Sequence, residues 1–276
     1  QDIKDLRFSW QDKPFAISIS IGMVAINKDT TSVHELMSCA DMACYAAKDK
    51  GRDGIQWYSA DDAEYNQRRN EMQWASKIKQ SLEEDRFMLY FQPMLGLQPS
   101  CSGDHGEFLI RLYDEGGIVP PGAFIPAAER YNLMPLIDRW VVENVFKYLS
   151  KSGLGQKDEG TFFINLSGTS LSDKSFFNDI RKLLKQYNVK PNRICLEITE
   201  TAAIDNLNDA VEFISEIRDE GFKFALDDFG VGMSSFSYLK TIPVDYLKID
   251  GSFVQNMLND PIDKGIVDAC NQISHA

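Results

Sequence analysis

The stretch FKFALDDFG, residues 222–230, decides the fold class of this chain. Its apolar run is nearly continuous rather than strictly alternating, which is typical of a strand buried on both faces of a parallel sheet. Asp227 and Asp228 stand where this strand ends, and Gly230 then predicts a turn. An apolar strand that ends in polar residues is a pattern that recurs along the chain.

Similar apolar runs alternate with amphipathic helical patterns from residue 86 onward. Strands are predicted at residues 87–95, 107–113, 162–166, 194–198, 222–227 and 246–249, and helices at 121–131, 136–150, 174–187, 207–220 and 261–275. This alternation predicts an α/β fold, a TIM-like (β/α) barrel in which the strand ends meet at one mouth. A closed barrel has eight strands and takes about 250 residues, so we expect an incomplete barrel here.

The N-terminal part carries a different pattern. A strand is predicted at residues 15–26, a helix at 31–50 and a short strand at 54–58, which are too few elements for an ordinary core. Residues 61–85 are polar and lack Pro and Gly, which predicts a stiff connecting helix. The predicted domains are a partial α/β domain at residues 1–60, a connecting helix at 61–84 and the barrel domain at 85–276, truncated at its C-terminus.

Charge and composition narrow the classes of partner. The chain has 29 Lys and Arg against 41 Asp and Glu, a net charge of −12, which argues against binding to DNA or RNA polymers. No apolar run approaches the roughly 18 residues of a membrane-spanning segment. The five cysteines are irregularly spaced, as expected of free thiols in a reducing compartment, and predict a cytoplasmic location. A membrane anchor upstream of Gln1 stays open.

The candidate site combines Glu107, early in the second predicted strand, with polar residues at the ends of the later strands. The set comprises Glu107, Asn165, Glu197, Asp227, Asp228 and Lys248. Carboxylate and amide oxygens are the ligands that Mg²⁺ or Mn²⁺ prefers, whereas zinc favours nitrogen and sulfur. The adjacent aspartates suit two metal ions about 4 Å apart, an arrangement that serves phosphoryl displacement. The Lys248 cation is placed to orient a water or to neutralise charge on phosphate.

Several motifs carry a resemblance to a known family. EFLIR at 107–111, FFINLS at 162–167, LEITET at 196–201, DDFGVGMSSFSYLK at 227–240 and VDYLKIDGSFV at 244–254 resemble, in order, the motifs of EAL domains. SIGMVAI at 20–26 and ADMACYAAKDKGRDGIQWY at 40–58 resemble the last third of a GGDEF domain. The chain therefore resembles a tandem GGDEF–EAL protein, the bacterial enzymes of cyclic di-GMP turnover.

The resemblance implies a role for each matching position. It implies a first metal site at Glu107, Asn165, Glu197 and Asp227, a second site shared by Asp227 and Asp228, and a lysine beside the attacking water at Lys248. It implies contacts with the phosphate and base of the ligand at Arg111 and Gln92, and a pair that fixes the adjacent loop at Glu200 and Ser234. In the GGDEF domain it implies a lysine near the nucleotide phosphates at Lys48. Among these, Lys248, Glu107 and Asp228 are expected to act in catalysis. Val231 replaces the threonine usual in this loop, and the missing hydroxyl is expected to detune it.

The implied function is metal-dependent hydrolysis of cyclic di-GMP to linear pGpG, with Mg²⁺ or Mn²⁺ at a two-metal site. Two alternatives stay open: a cyclic di-GMP receptor without activity, and a diguanylate cyclase acting through the GGDEF domain. The resemblance also implies a homodimer through the EAL domain. A later strand with another metal-site glutamate is expected beyond Ala276, so residues 1–276 alone are expected to be catalytically silent.

Overall fold

The computed structural model describes ten segments of the chain. They are residues 8–10, 13–15, 18–26, 32–49, 51–59, 63–97, 103–114, 116–157, 159–231 and 236–275. The chain divides into two compact units, residues 1–77 and 78–276, and the division falls inside the helix Ala63–Glu83. The predicted domain boundaries stay a prediction.

Unit 1 is small and is built around one helix. Its elements are β1 (Phe8–Trp10), β2 (Lys13–Phe15), β3 (Ile21–Met23), α1 (Val33–Asp49), β4 (Ile55–Trp57) and the start of α2 (Ala63–Glu83). Strands β3 and β4 pair in parallel, whereas β1 and β2 form an antiparallel pair. Gly22 lets β3 approach α1 closely, because a Cβ there would lie 2.0 Å from the carbonyl oxygen of Ala40. The single long strand predicted at residues 15–26 is wrong, since residues 18–20 and 24–26 lie outside any strand.

Unit 2 contains the larger sheet and the helices around it. The strands are β5 (Phe87–Met94), β6 (His105–Asp114), β7 (Gly117–Val119), β8 (Phe162–Asn165), β9 (Ile194–Thr199), β10 (Lys223–Phe229) and β11 (Tyr246–Ile249). The helices are α3 (Ile125–Arg130), α4 (Met134–Ser152), α5 (Gly168–Leu171), α6 (Lys174–Tyr187), α7 (Glu200–Asp205), α8 (Leu207–Asp219), α9 (Gly251–Asn256) and α10 (Pro261–Ser274). The predicted α/β, TIM-like architecture is confirmed.

The order of the strands places the sequence-distant motifs side by side. The path through the sheet runs β11-β10-β9-β8-β6-β5, with β7 paired to β6. All neighbours from β6 to β11 along this path are parallel, but β5 and β6 are antiparallel. The ten residues 95–104 between β5 and β6 explain this departure from a wholly parallel sheet, because a parallel crossover needs a dozen or more residues.

Side chains on the inner face of the sheet form layers. Phe163, Cys195 and Ala225 pack together as a buried cluster, with Met94 and Tyr246 against it. We call these five residues the apolar floor. Two positions further along β8, β9, β10 and β11 the inner-face residues are polar, because successive residues of a strand point to alternate faces. The predicted polar strand ends therefore share a face directly above the apolar floor.

The structure also contains short elements that periodicity did not predict. These are β1, β7, α5, α7 and α9, each of six residues or fewer. Such lengths are too short to show a repeating apolar pattern. In the part of the chain that is described, no helix has the length and apolarity needed to cross a membrane.

The start of helix α6 offers a test of how unit 2 is held together. Asp173 caps α6 by accepting hydrogen bonds from the amides of Ser175 and Phe176, at 2.9 and 3.3 Å, and it also pairs with Arg139 of α4 at 2.6 Å. The Ser175 hydroxyl lowers the pKa of Asp173 to about 2, an effect that partial burial opposes and Arg139 reinforces. Asp173 thus serves both the helix end and the contact between α4 and α6.

We predict that Asp173→Ala lowers the free energy of unfolding by about 1–2 kcal/mol at pH 7, since it removes an N-cap and an ion pair. The pKa in the folded state lies below the ordinary value of about 3.9. The stabilisation is therefore fully present above that value and is lost as the pH falls from about 4 towards 2. Urea unfolding at pH 7 and pH 3 measures both effects, with Glu212→Gln in an exposed ion pair as control. An equal loss at both pH values would contradict the assignment.

Candidate metal centre

Three carboxylates and one lysine from four strands meet on one face of the sheet. Glu197, Asp227 and Lys248 lie towards the carboxyl ends of β9, β10 and β11, whereas Glu107 lies near the start of β6. Glu107 of β6, Glu197 of β9 and Asp227 of β10 each offer an oxygen, and these oxygens lie within 4.8 Å of one another. Lys248 of β11 donates from its Nζ to Glu197 Oε2 at 2.7 Å, to Asp227 Oδ2 at 3.0 Å and to Glu107 Oε2 at 3.1 Å. We call these four residues the carboxylate cluster. The structure thus brings together residues that are up to 141 positions apart.

The register of the strands sets the height of each side chain. Glu197 is the pairing partner of both Asn165 on β8 and Ala225 on β10. Asp227 follows Ala225 by two positions and so lies one layer higher on the same face. Lys248 likewise follows Tyr246, which pairs with Ala225. Asp227 and Lys248 therefore lie one layer above the floor residues Ala225 and Tyr246, and their side chains meet those of Glu107 and Glu197 beside the apolar floor.

Burial and charge act against each other in this cluster. Burial raises the pKa of Glu197 to about 7; Lys248 opposes this rise, whereas the charges of Glu107 and Asp227 add to it. Burial works against the charge on Lys248, but the carboxylates outweigh it and raise the pKa of the lysine above its ordinary value. Lys248 is therefore an ammonium whose charge compensates a buried cluster of acids.

The donor set fits a hard divalent cation. Glu197 is fully buried, and its Oε1 atom has no hydrogen-bond partner within the described part of the chain. Buried carboxylate oxygens are costly when they are not paired, and such an atom is suited to a metal ion. Asn165 contacts the cluster through its amide nitrogen, which donates to Glu107 Oε1 at 2.5 Å. Carboxylate and amide oxygens are the donors that Mg²⁺ and Mn²⁺ prefer, and Asn165 carries such an oxygen beside the cluster.

Asp228 does not join the three carboxylates. Its backbone is left-handed, with φ at 53°, and its amide donates to Asp227 Oδ1 at 2.9 Å. Burial, followed by the charges of Asp227 and Asp250, raises the pKa of Asp228. The contact with Asp250 was not predicted, although Asp250 follows Lys248 by only two positions and caps α9 through the Ser252 amide at 2.7 Å. The position of Asp250 just beyond the end of β11 was the sequence signal that could have identified it as part of the site.

The two predicted ligand-contact residues lie on β5 and β6. Gln92 is exposed and pairs across the antiparallel ladder with Glu107, so it stands beside the cluster. Arg111 lies four positions further along β6, with its guanidinium 5.3 Å from the centre of the Tyr90 ring and its Nη1 2.7 Å from the Ile110 carbonyl oxygen.

A pocket of about 270 Å³ is lined in part by Asn165, the residue whose amide contacts Glu107 of the cluster. Its lining is mainly apolar and includes Phe108, Ile125 and Met134, with Asn165 and Ser167 as polar groups. Small-molecule sites typically combine apolar walls with a few polar groups in this way. Asn165 is the residue that connects the pocket with the cluster, because it lines the pocket and donates to Glu107.

The remaining predicted residues lie away from the carboxylates. Glu200 is buried at the start of α7; it accepts a hydrogen bond from the Gly230 amide at 2.9 Å and another from the Tyr238 hydroxyl. Burial and the Glu200 carboxylate raise the pKa of Tyr238, which keeps the phenol protonated as a donor. Ser234 lies outside the described residues. Lys48 is exposed near the end of α1 in unit 1.

Comparison with known proteins places these features in a family. The EAL domain profile matches residues 75–276, and the profile described as diguanylate cyclase, GGDEF domain, matches residues 1–54. The cyclic di-GMP phosphodiesterase PdeB of Shewanella oneidensis is 39% identical over 260 residues, which cover 94% of this chain and 30% of PdeB. The bifunctional diguanylate cyclase/cyclic di-GMP phosphodiesterase MucR of Pseudomonas aeruginosa is 31% identical, over 92% of this chain and 37% of MucR.

A solved structure agrees with these relatives. The EAL domain of FimX from Pseudomonas aeruginosa, bound to c-di-GMP, has a TM-score of 0.67 and 30% sequence identity, over 73% of this chain and 81% of that one. The chain spans about a third of the length of the curated relatives it matches. The predicted resemblance to GGDEF–EAL proteins is confirmed. Since the family profile covers residues 75–276, well over half of its length, the chain belongs to the EAL domain family.

Proposed function

We propose that this protein hydrolyses cyclic di-GMP to linear pGpG at the carboxylate cluster. The observation that carries the proposal is the meeting of Glu107, Glu197 and Asp227 around Lys248, with Glu197, Asp227 and Lys248 towards the carboxyl ends of parallel strands. Active sites of barrel folds lie at this end of the strands. Relatives named as cyclic di-GMP phosphodiesterases, PdeB among them, support the choice of substrate.

We assign the metal as Mg²⁺ or Mn²⁺ at a two-metal site. Glu107, Asn165, Glu197 and Asp227 would hold the first ion, and Asp228 with Asp227 would hold the second. Such ions, when bound, supply Lewis-acid stabilisation of phosphoryl charge and a more acidic water. The raised pKa of Asp228 fits this assignment, because its carboxyl is crowded by Asp227 and Asp250 and gains from a nearby cation.

Each residue of the candidate site has a distinct role in the proposed reaction. Lys248 holds a permanent ammonium within hydrogen-bond distance of three ligand carboxylates, so it can orient the attacking water and stabilise negative charge on the phosphate. Arg111 binds a phosphate of the ligand, and its guanidinium is held against the Tyr90 ring for that purpose. Gln92 contacts a base at the rim of the site, while the pocket lined by Asn165 excludes water from the apolar part of the ligand. Glu200 holds the loop that carries Asp228 through the Gly230 amide, and the family resemblance assigns Ser234, which lies outside the described residues, to the same role.

We further propose a homodimer formed through the EAL domain, which acts in the cytoplasm. Cys39, Cys44, Cys195 and Cys270 are all free thiols, as is usual in a reducing compartment.

The first prediction concerns turnover and metal together. We expect the complete protein to convert cyclic di-GMP to pGpG with Mg²⁺ or Mn²⁺ and to lose this activity in EDTA, because the ligands are all oxygens. Chromatography of the nucleotides measures the product. Undiminished turnover after metal removal would overturn the metal assignment. Tight binding of cyclic di-GMP without turnover in the presence of metal would instead assign the protein as a receptor.

The second prediction separates the metal ligands from the lysine. Glu197→Gln keeps the size of the side chain but removes a ligand charge, so we expect turnover to fall by roughly 10³-fold, together with Mn²⁺ affinity. Lys248→Ala should lower turnover while Mn²⁺ affinity is retained, because an ammonium is not a ligand. Calorimetric titration with Mn²⁺ distinguishes the two variants, and Lys174→Ala on the exposed face of α6 is the control. An equal loss of Mn²⁺ affinity in both site variants would contradict the separate roles.

The third prediction concerns Val231, which follows Gly230 and is 54% exposed. The missing threonine hydroxyl leaves the loop with one hydrogen-bonding group fewer, so Val231→Thr is expected to raise turnover by about threefold. The exposed position accepts threonine without a packing change. Val231→Ala is the matched control, since it shortens the side chain without adding a hydroxyl. Equal turnover in all three proteins would show that this position is neutral.

A further inference from the structure

The segment that carries both aspartates has an unusual backbone. We call residues 227–230 the aspartate turn. Within it, Asp228 and Gly230 have left-handed φ values of 53° and 104°. The pairing of β10 with β11 also shifts register between Leu226 and Phe229, as in a β-bulge. Bulges next to active sites re-aim side chains, and left-handed residues other than glycine are costly unless the surroundings hold them.

Glu200 is the group that ties the aspartate turn to the next strand. It follows β9 directly, three positions after Glu197, and its side chain is 1% exposed. Its Oε2 accepts the hydrogen bond of the Gly230 amide at 2.9 Å. One end of the turn is thus held from β9, the same strand that supplies Glu197 to the carboxylate cluster.

Tyr238 in turn holds Glu200. Its hydroxyl donates to Glu200 Oε1, the carboxylate oxygen that Gly230 does not use. Tyr238 lies in the short 3₁₀-helix Phe236–Lys240 and is 7% exposed, so water has little access to this hydrogen bond. A hydrogen bond to a buried carboxylate is among the stronger kinds, so its loss is costly.

A substitution within the aspartate turn could not test the role of these hydrogen bonds cleanly, because it would also disturb the packing or the backbone of the turn. A Cβ on Gly230 would lie 3.1 Å from a ring carbon of Phe253, and its φ value strains any other residue. Phe229 is fully buried. Tyr238, by contrast, can lose its hydroxyl without a change of shape.

We propose that Tyr238 is a positioning residue which, through Glu200, holds the aspartate turn in the conformation that presents Asp227 and Asp228 to divalent cations. This deepens the proposed function, because it names a residue that acts on the metal site without touching it. Tyr238 and Glu200 lie beside the site, not in it. Loss of the hydroxyl removes the Tyr238 hydrogen bond from Glu200 Oε1 and so weakens the hold on the carboxylate that accepts from the Gly230 amide.

The test is Tyr238→Phe in the full-length protein, with two readouts that do not depend on hydrolysis. We expect the Mn²⁺ dissociation constant to rise by roughly fivefold, measured by calorimetric titration without nucleotide. We also expect faster amide hydrogen exchange in residues 227–231, since a local opening of the turn becomes easier. In a Glu200→Gln background, the added Tyr238→Phe change should have little further effect on either readout.

Tyr187→Phe is the matched control, because Tyr187 also donates to a glutamate, Glu143, at 3.2 Å but on the exposed surface of α6. It should change neither readout. A Tyr238→Phe protein with normal Mn²⁺ affinity and normal exchange in residues 227–231, even with a lower melting temperature, would overturn the proposal. Absence of Mn²⁺ binding in the wild-type protein would defeat the proposed function instead, and the exchange of the aspartate turn would still decide the role of Tyr238.

Discussion

The ion pair between Glu197 and Lys248 is the constraint on which the rest of unit 2 depends. Glu197 is fully buried, and Nζ of Lys248 lies 2.7 Å from its Oε2. Removal of one partner from a buried pair typically costs about 3–5 kcal/mol, because the other charge is left uncompensated. The two residues come from β9 and β11, with β10 between them. The Glu197–Lys248 ion pair can therefore form only when β9, β10 and β11 are in the register that also assembles the site.

The apolar floor makes this requirement strict. Phe163 and Tyr246 meet edge to face with ring centres 5.3 Å apart, beside the carboxylates. Charges beside such a layer interact more strongly than charges in water, and they are also more costly when unpaired. A slip of one residue in any strand would exchange a floor residue for an outward-facing one. Packing of the floor and pairing of the charges consequently select the same register.

Sequence reasoning predicted the features that recur from one βα unit to the next. The continuous apolar runs ending in Asn165, Glu197 and Asp227 identified the parallel strands and the carboxylates that the structure brings together, since strand direction alone places such ends on one edge. The antiparallel pairing of β5 was missed because it depends on the length of the connection to β6 rather than on the pattern of β5 itself. The contacts of Asp228 with Asp250, and of Tyr238 with Glu200, were missed because a bulge and left-handed residues leave no periodic trace.

Asp227 and Asp228 are therefore held in position by different interactions. Asp227 is a ladder residue that pairs with Thr199 on β9 and inherits the rigidity of the sheet. Asp228 lies in the register shift, and we propose that its position depends on the hydrogen bond of the Gly230 amide to Glu200, which Tyr238 holds in turn. Disturbing the ladder is therefore expected to cost folding stability along with the proposed metal binding, whereas disturbing the turn is expected to alter that binding at little cost to the fold. The second proposed ion needs Asp228. Contacts outside the sheet can therefore change the affinity for this ion without unfolding the barrel.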